Sequence, residues 1–300
     1  MGLDIFDIPL RDTRYPVSLA SIHDPPATLW ARGCPDALAL PAVAIVGSRT
    51  ASPYALEVAR RLGADLARRG LAIVSGMARG VDAAAHRGAL EGGGMTIAVF
   101  GCGVDVIYPP EHHALAERIC ERGALVSEFP PATPPLKAHF PQRNRIISGL
   151  SLAVVIAEAA ERSGSLITAD FALEQGRAVL AVPGHVLGGR NYGAHALLRD
   201  GAKLVECADD ILEELPLGLG SRIDIGDSGL GSQGSKRMIS ASQDPVLRAM
   251  DEGDAYDLDE IAERSGIDRM RLLPRLVELE LAGALRRVEG GRFVRFQRPC

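Results

Sequence analysis

Between Lys137 and Arg145 the chain sets a lysine, a histidine, a phenylalanine and the triplet Arg143-Asn144-Arg145 into nine residues. No Asp or Glu occurs between Glu128 and Glu158, so no neighbour in the sequence neutralises these cations. Cations beside an aromatic ring suit single-stranded nucleic acid, whose phosphates pair with the charges while an unpaired base stacks on the ring. The approach PPATPP keeps the backbone extended, which makes the segment a lip carrying Lys137 and Phe140. Its continuation, RNRIISGLS, leads into an apolar strand and anchors the lip, so Lys137 and Phe140 rank above Arg143 and Arg145 as direct contacts. The plainer alternative is a solvated loop whose arginines hold neighbouring strands, with Phe140 tucked into the core.

A second set of candidates sits in short loops rich in Gly and Ser: Gly47-Ser48-Arg49, Ser75-Gly76 running on to Gly80, Gly101-Cys102-Gly103, Ser163-Gly164-Ser165 and Pro183-Gly184-His185. Glycines let backbone N–H groups approach an anion, hydroxyls add donors, and a following helix N-terminus adds positive potential. The same glycines also make tight strand-to-helix turns, and Arg49 or Arg79 can instead be structural, each paired with a carboxylate such as Asp82 or Glu158, a reading that suits Arg79 better than Arg49. Neither G-x-G-x-x-G nor a Walker A pattern occurs, which leaves a dinucleotide or triphosphate site without support. Catalytic patterns are equally weak. Asp82 and His86 lie four apart on one helix face, and neither Ser75 nor Ser163 sits in a G-x-S-x-G elbow; no catalytic residue is expected.

These loops must be held by a regular scaffold, and the apolar pattern supplies one. From Ala42 to about Leu215 the runs AVAIV, LAIVS, TIAVF, ALVSE, LAVVI, AVLAV and KLVEC read as strands, alternating with helical patterns. Strands that are apolar on both faces and joined by helices imply an α/β domain: a doubly wound, mainly parallel Rossmann-like sheet. In such a sheet ligands bind beyond the carboxyl ends of the strands, where all the loops above converge. Ser52-Pro53 supplies an N-cap and a first-turn proline for one of the helices, and Gly70 ends it.

Residues 1–41 read as an N-terminal extension packing on a core of residues 42–215. Residues 216–243, rich in Gly and Ser without apolar periodicity, read as a flexible linker. Residues 244–300 show three helical patterns followed by a hairpin around Gly290-Gly291, a winged helix-turn-helix domain of about sixty residues. Its arginines (Arg269, Arg271, Arg275, Arg286, Arg287, Arg292 and Arg295) suit duplex phosphates, while the interleaved acids suit a protein contact equally well.

The 300 residues are 47% hydrophobic and carry a net charge of -5, so any polyanion must be met by a local patch and not by the whole surface. Five scattered cysteines without a C-x-x-C pair fit a reducing cytoplasm and offer no metal spacing. No apolar run approaches the roughly 20 residues of a membrane span, so neither export nor insertion is expected, and no metal or cofactor is expected either.

At these residues the chain resembles the DNA processing protein A family (DprA, also called Smf), bacterial single-strand DNA binders of natural transformation. The resemblance covers Tyr15 to about Leu215 through GSR at Gly47, SGMARGVDAAAH from Ser75, GCGVDVIYP from Gly101, SEFP from Ser127, FPQRNRIISGLS from Phe140 and SGSLITADFALEQGRAVLAVPG from Ser163. It implies a homodimer without a catalytic cycle that holds single-stranded DNA, helps to load the recombinase RecA and displaces single-strand binding protein. Carried over by motif, Gly47, Ser48 and Arg49 hold phosphate, Lys137 adds charge and Phe140 stacks on or wedges against a base. Arg143, Asn144 and Arg145 either touch DNA or brace the pocket. Two features depart from the family pattern. Only fourteen residues precede Tyr15, where the family often carries a helical domain, and Gly193-Ala194-His195 stands where the family has Gly-x-Asn.

The resemblance also suggests an enzymatic alternative, the nucleoside monophosphate phosphoribohydrolases of the lysine-decarboxylase-like group. Their loop carries a catalytic Glu where this chain has Ile167 and Thr168. A third alternative is a dimeric scaffold that presents the winged helix to partners.

Overall fold

A computed structural model describes residues 5–215, 245–250, 255–268, 285–287 and 292–295, together with Leu272, Arg275, Leu276 and Leu279. The chain divides into two compact units, Met1–Gly226 and Asp227–Cys300.

The first unit is built on nine strands: β1 (Ile5–Pro9), β2 (Thr28–Gly33), β3 (Ala42–Gly47), β4 (Ala72–Ser75), β5 (Thr96–Val99), β6 (Ala124–Ser127), β7 (Ala153–Glu158), β8 (Ala178–Ala181) and β9 (Lys203–Leu204). They form one sheet in the order β1-β2-β6-β5-β4-β3-β7-β8-β9. From β6 to β9 every pairing is parallel. Each sequence-predicted strand run is present, and the doubly wound expectation holds.

The side chains show why. Along β3, Ala42, Ala44 and Val46 enter one core layer while Val43 and Ile45 enter the layer on the opposite face. A period of two with both halves apolar forces helices onto both faces. One face is covered by α2 (Pro53–Arg68), α3 (Val81–Glu91) and α8 (Ala208–Glu213), the other by α1 (Val17–Ala20), α5 (His139–Gly149), α6 (Gly164–Glu174) and α7 (Tyr192–Arg199); α4 (His113–Arg122) closes a third cluster near β5 and β6. Helix α2 starts as its sequence predicts: Ser52 accepts the Ala55 N–H at 3.2 Å and Pro53 occupies the first turn.

Two features differ from the sequence reading. The N-terminal residues do more than pack on the core, because β2 pairs antiparallel with β6 and β1 with β2, which extends the sheet. The segment after PPATPP is also not an extended lip throughout: from His139 it is helical. Ile146, Ile147 and Leu150 supply the helical apolar spacing, and Pro141 is tolerated because it lies in the first turn.

In the second unit, α9 (Pro245–Arg248), β10 (Ala255–Tyr256), α10 (Leu258–Ser265), β11 (Leu285–Arg287) and β12 (Phe293–Arg295) surround a core that includes Val246, Leu247, Ile261, Leu276 and Phe293. β12 pairs antiparallel with both β10 and β11, as in a winged helix. Asp257 caps α10 in a full capping box with Glu260, and Gly266 ends the helix in the left-handed region. Arg295 donates to the Leu247 carbonyl at 2.6 Å inside this unit, so it serves as a brace there. Arg269, Arg271, the linker and the side chains of Arg286 and Arg287 lie outside the described residues.

Candidate nucleic-acid interface

The strand order reverses between β3 and β7: β4, β5 and β6 follow on one side of β3, while β7, β8 and β9 follow on the other. A crevice opens at the carboxyl ends of two strands whose connections run in opposite directions, and it is the place where doubly wound sheets bind ligands. Here it is a groove of about 690 Å³. Gly47, Ser48 and Arg49 line it from the end of β3, and Ser163, Gly164 and Ser165 line it from the loop after β7. Lys137, Phe140, Arg143 and Asn144 line it from α5 and its approach. Ten of the fourteen candidate residues thus share one groove.

Their roles within it differ. Arg49 and Lys137 are exposed, and so is Arg162, a lining residue that the sequence reading passed over. None of the three makes an ion pair among the described residues. Arg49 rests over the Phe140 ring, its guanidinium carbon 5.6 Å from the centroid. The one carboxylate lining the groove is Asp82, buried and accepting the Gly76 and Ala78 N–H groups at 3.1 and 3.3 Å. Burial pushes its pKa up against the opposing pull of Arg143, the two N–H groups and Arg49.

Arg143 is a brace. Its guanidinium is buried at the floor of the groove and donates to the carbonyls of Gly76 at the end of β4 and Val99 at the end of β5. Its Nε donates to Asn144 Oδ1 at 3.1 Å, and Asn144 Nδ2 donates to the Gly164 carbonyl at 3.3 Å. Two adjacent side chains thereby tie together the loops after β4, β5 and β7. Burial draws the Arg143 pKa down to about 10, which leaves it charged at neutral pH. Gly76 is required here, because a Cβ at this position would run into the Arg143 guanidinium.

Several expected contacts are corrected by this geometry. Ser75 is fully buried and its hydroxyl donates to the Ile45 carbonyl at 2.7 Å, so it cannot reach a ligand. The Gly76 N–H is spent on Asp82, and the Ser48 N–H on the Glu158 carbonyl at 2.8 Å. The GSR loop therefore presents side chains in place of a nest of amides at Ser48. Gly101 is buried under the first turn of α5: its carbonyl meets His139 Nδ1 at 3.1 Å, and a Cβ would lie 3.2 Å from the Phe140 ring. It seats Phe140 and does not line the groove.

Arg145, two residues beyond Arg143, points elsewhere. It forms a bidentate pair with Glu128 at 2.8 and 2.9 Å and reaches Asp24 at 3.2 Å, lining a separate hollow. The charge that no neighbouring residue neutralises is neutralised through space. Arg79 pairs with Glu111, Glu158 accepts the Ser52 hydroxyl at 2.6 Å, and Asp82 accepts backbone N–H groups, so neither Asp82 nor Glu158 is the ion-pair partner of Arg49 or Arg79.

The fold and the groove define a class: a Rossmann-like domain whose switch-point crevice is cationic, aromatic and poor in acids. The chain belongs to the DNA recombination-mediator protein A family, whose pattern it matches over residues 8–216; residues 234–291 match the DprA winged helix domain. It is 43% identical to Protein Smf of Escherichia coli over 98% of this chain and 78% of that one. It is 47% identical to DNA processing protein DprA of Streptococcus pneumoniae over 68% of this chain and 72% of that one. Among solved structures, DprA of Streptococcus pneumoniae aligns with a TM-score of 0.69 at 45% identity, covering 71% of this chain and 75% of that one. DNA processing protein A of Helicobacter pylori, described for its single-stranded DNA binding mode, aligns with a TM-score of 0.64 at 30% identity, covering 72% of this chain and all of that one.

Proposed function

We propose that the switch-point groove binds single-stranded DNA without reading its sequence, and that the chain acts in DNA processing for transformation and recombination. The carrying observation is that Arg49, Lys137 and Arg162, without ion-pair partners among the described residues, line one groove with the Phe140 ring, over which Arg49 rests. Phosphates follow the cations, and unpaired bases find an aromatic face whatever their identity. A duplex keeps its bases stacked on each other and offers none to Phe140. The N-terminus of α6, an eleven-residue helix beginning at Gly164, adds positive potential at the same edge.

Within this reading the groove residues bind and do not catalyse. The lining holds a single carboxylate, Asp82, already committed to two backbone N–H groups, where glycosidic-bond cleavage would call for an acid free to face the substrate. The partners that follow are RecA, to be loaded onto the bound strand, single-strand binding protein as competitor, and a second copy of the chain. The setting is the cytoplasm; among the described residues no helix is long and apolar enough to cross a membrane.

Fluorescence anisotropy of the full chain with labelled oligo-dT and with blunt duplex tests the proposal. Preference for the single strand, weakened by Arg49→Ala, Lys137→Ala and Phe140→Ala, is expected. Equal or tighter duplex binding, or wild-type affinity in all three variants, would overturn it.

A further inference from the structure

Phe140 does not stand alone at the end of the groove. The Tyr108 ring lies 5.6 Å from it, centroid to centroid, with the planes tilted by 36°. Tyr108 is 44% exposed, although it is a large aromatic residue and its neighbour Pro109 is buried. Beyond Phe140 a second hollow of about 60 Å³ is lined by Tyr108, Pro109, Ala78 and Arg79. It shares Arg49, Ala78, Tyr108, Phe140 and Arg143 with the main groove, so the Phe140 and Tyr108 rings together stand where the two meet.

Building on the single-strand reading, we propose that this hollow is a second base subsite, in which Tyr108 stacks the nucleotide that follows the one on Phe140 and Arg79 takes its phosphate. The geometry restricts how this works. A flat base between two rings needs a centroid separation of about 7 Å, twice the carbon–carbon contact distance, and the two rings are closer than that. The next base therefore lies on the outer face of Tyr108, and the strand bends over the Phe140–Tyr108 edge. The hollow is too small for a base to enter, which fits a base lying over it.

Arg79 is held ready for a phosphate. Its partner Glu111 is half-exposed and Arg79 more so, and an ion pair in water holds its members weakly. A phosphate offers two acceptor oxygens to the same guanidinium and displaces Glu111. Glu111 therefore acts as a placeholder that lowers affinity at this subsite.

The experiment uses the full chain with two oligo-dT probes, one spanning only the main groove and one long enough to pass Phe140, and with a fluorescent adenine analogue placed along the longer strand. For the longer probe, Tyr108→Ala weakens binding roughly 5-fold or more, the scale of one lost base stack, with the salt dependence unchanged; the short probe loses less, because Tyr108 lines its groove but stacks none of its bases. Tyr108→Phe restores wild-type affinity and the quenching of the analogue at the corresponding position. Glu111→Gln tightens binding of the longer probe and steepens its salt dependence. Wild-type binding and quenching in Tyr108→Ala would overturn the subsite while leaving the groove reading intact. Failure of the wild-type chain to bind either probe would overturn both.

Discussion

The Arg49 guanidinium carbon sits 5.6 Å from the centre of the Phe140 ring, a cation from the loop after β3 resting on an aromatic from the first turn of α5. A base that stacks on that face of Phe140 competes with Arg49 for it, and a phosphate that attracts Arg49 uncovers the ring. The two residues are thus coupled before any ligand arrives.

This coupling is measurable in a double-mutant cycle on oligo-dT binding. Phe140→Ala costs about 1–3 kcal/mol, the scale of a base–aromatic stack, with little change in salt slope. Arg49→Ala flattens the slope by roughly 0.7, one single-strand phosphate. The double variant loses more than the sum by about 0.5 kcal/mol or more, because each single change already abolishes the Arg49–Phe140 contact of the free protein and the sum counts that relief twice. Strict additivity would show that the ring and the guanidinium act separately.

Lys137 and Arg145 lie eight positions apart in one cationic segment, yet they should behave oppositely. Lys137→Ala and Arg162→Ala each remove an unpaired cation from the groove and flatten the salt dependence by roughly 0.7. Arg145→Ala leaves that slope as it is, because the side chain faces Glu128 and Asp24 across a different hollow. Anisotropy titrations across a salt series separate the two outcomes.

Arg143 contributes shape through its planar fork, so charge alone cannot replace it. Arg143→Lys keeps the cation but cannot span the Gly76 and Val99 carbonyls and Asn144 together. Buried acceptors left unpaired cost on the order of 2–3 kcal/mol of stability. Gly76→Ala acts on the same joint from the other side, since its methyl meets the guanidinium. Urea unfolding followed by Trp30, the only tryptophan in the chain and part of β2, reports on the first unit directly. Both variants should unfold at lower urea; an unchanged midpoint for Arg143→Lys would show that charge alone suffices.

The sheet was legible because its strands are apolar on both faces, a pattern that only a covered parallel sheet explains. The antiparallel strands β1, at the sheet edge, and β2 were not, since IFDIP and TLWARG mix polar with apolar residues. Within the site, exposed chemistry was readable from residue type: Arg49, Lys137 and Phe140 stand in the groove that their types suggest. Direction was not readable. Nothing in RNR tells that Arg143 points under the groove and Arg145 away from it, because the segment's helical phase is hidden by polar residues at buried positions. Arg162 was missed for the opposite reason: in GLU-ARG-SER order at 161–163 it resembles any solvated loop cation, and only the reversal of strand order beside it makes it part of a site.

The first unit should also lose stability in mild acid through His86. This residue is fully buried in α3, with Nδ1 2.6 Å from Thr96 Oγ1. The Thr96 hydroxyl donates its proton to the Ile73 carbonyl at 2.7 Å, so it must accept from His86, which fixes the proton of the neutral ring on Nδ1. Nε2 then has no partner, and a second proton there would be buried and unpaired. Burial, with smaller contributions from His112, Arg143 and Arg87, pulls the His86 pKa down to about 3 from its ordinary 6.5. The unfolded chain therefore binds a proton below pH 6.5 that the folded chain refuses until about pH 3, and stability falls as pH falls through this window. At about pH 5 the loss attributable to His86 is about 2 kcal/mol. Urea midpoints read from Trp30 should drop between neutral pH and about pH 5 in the wild type. His86→Leu, which removes the titrating group, should flatten that drop, and a drop of equal size in the variant would assign the acid sensitivity to other groups.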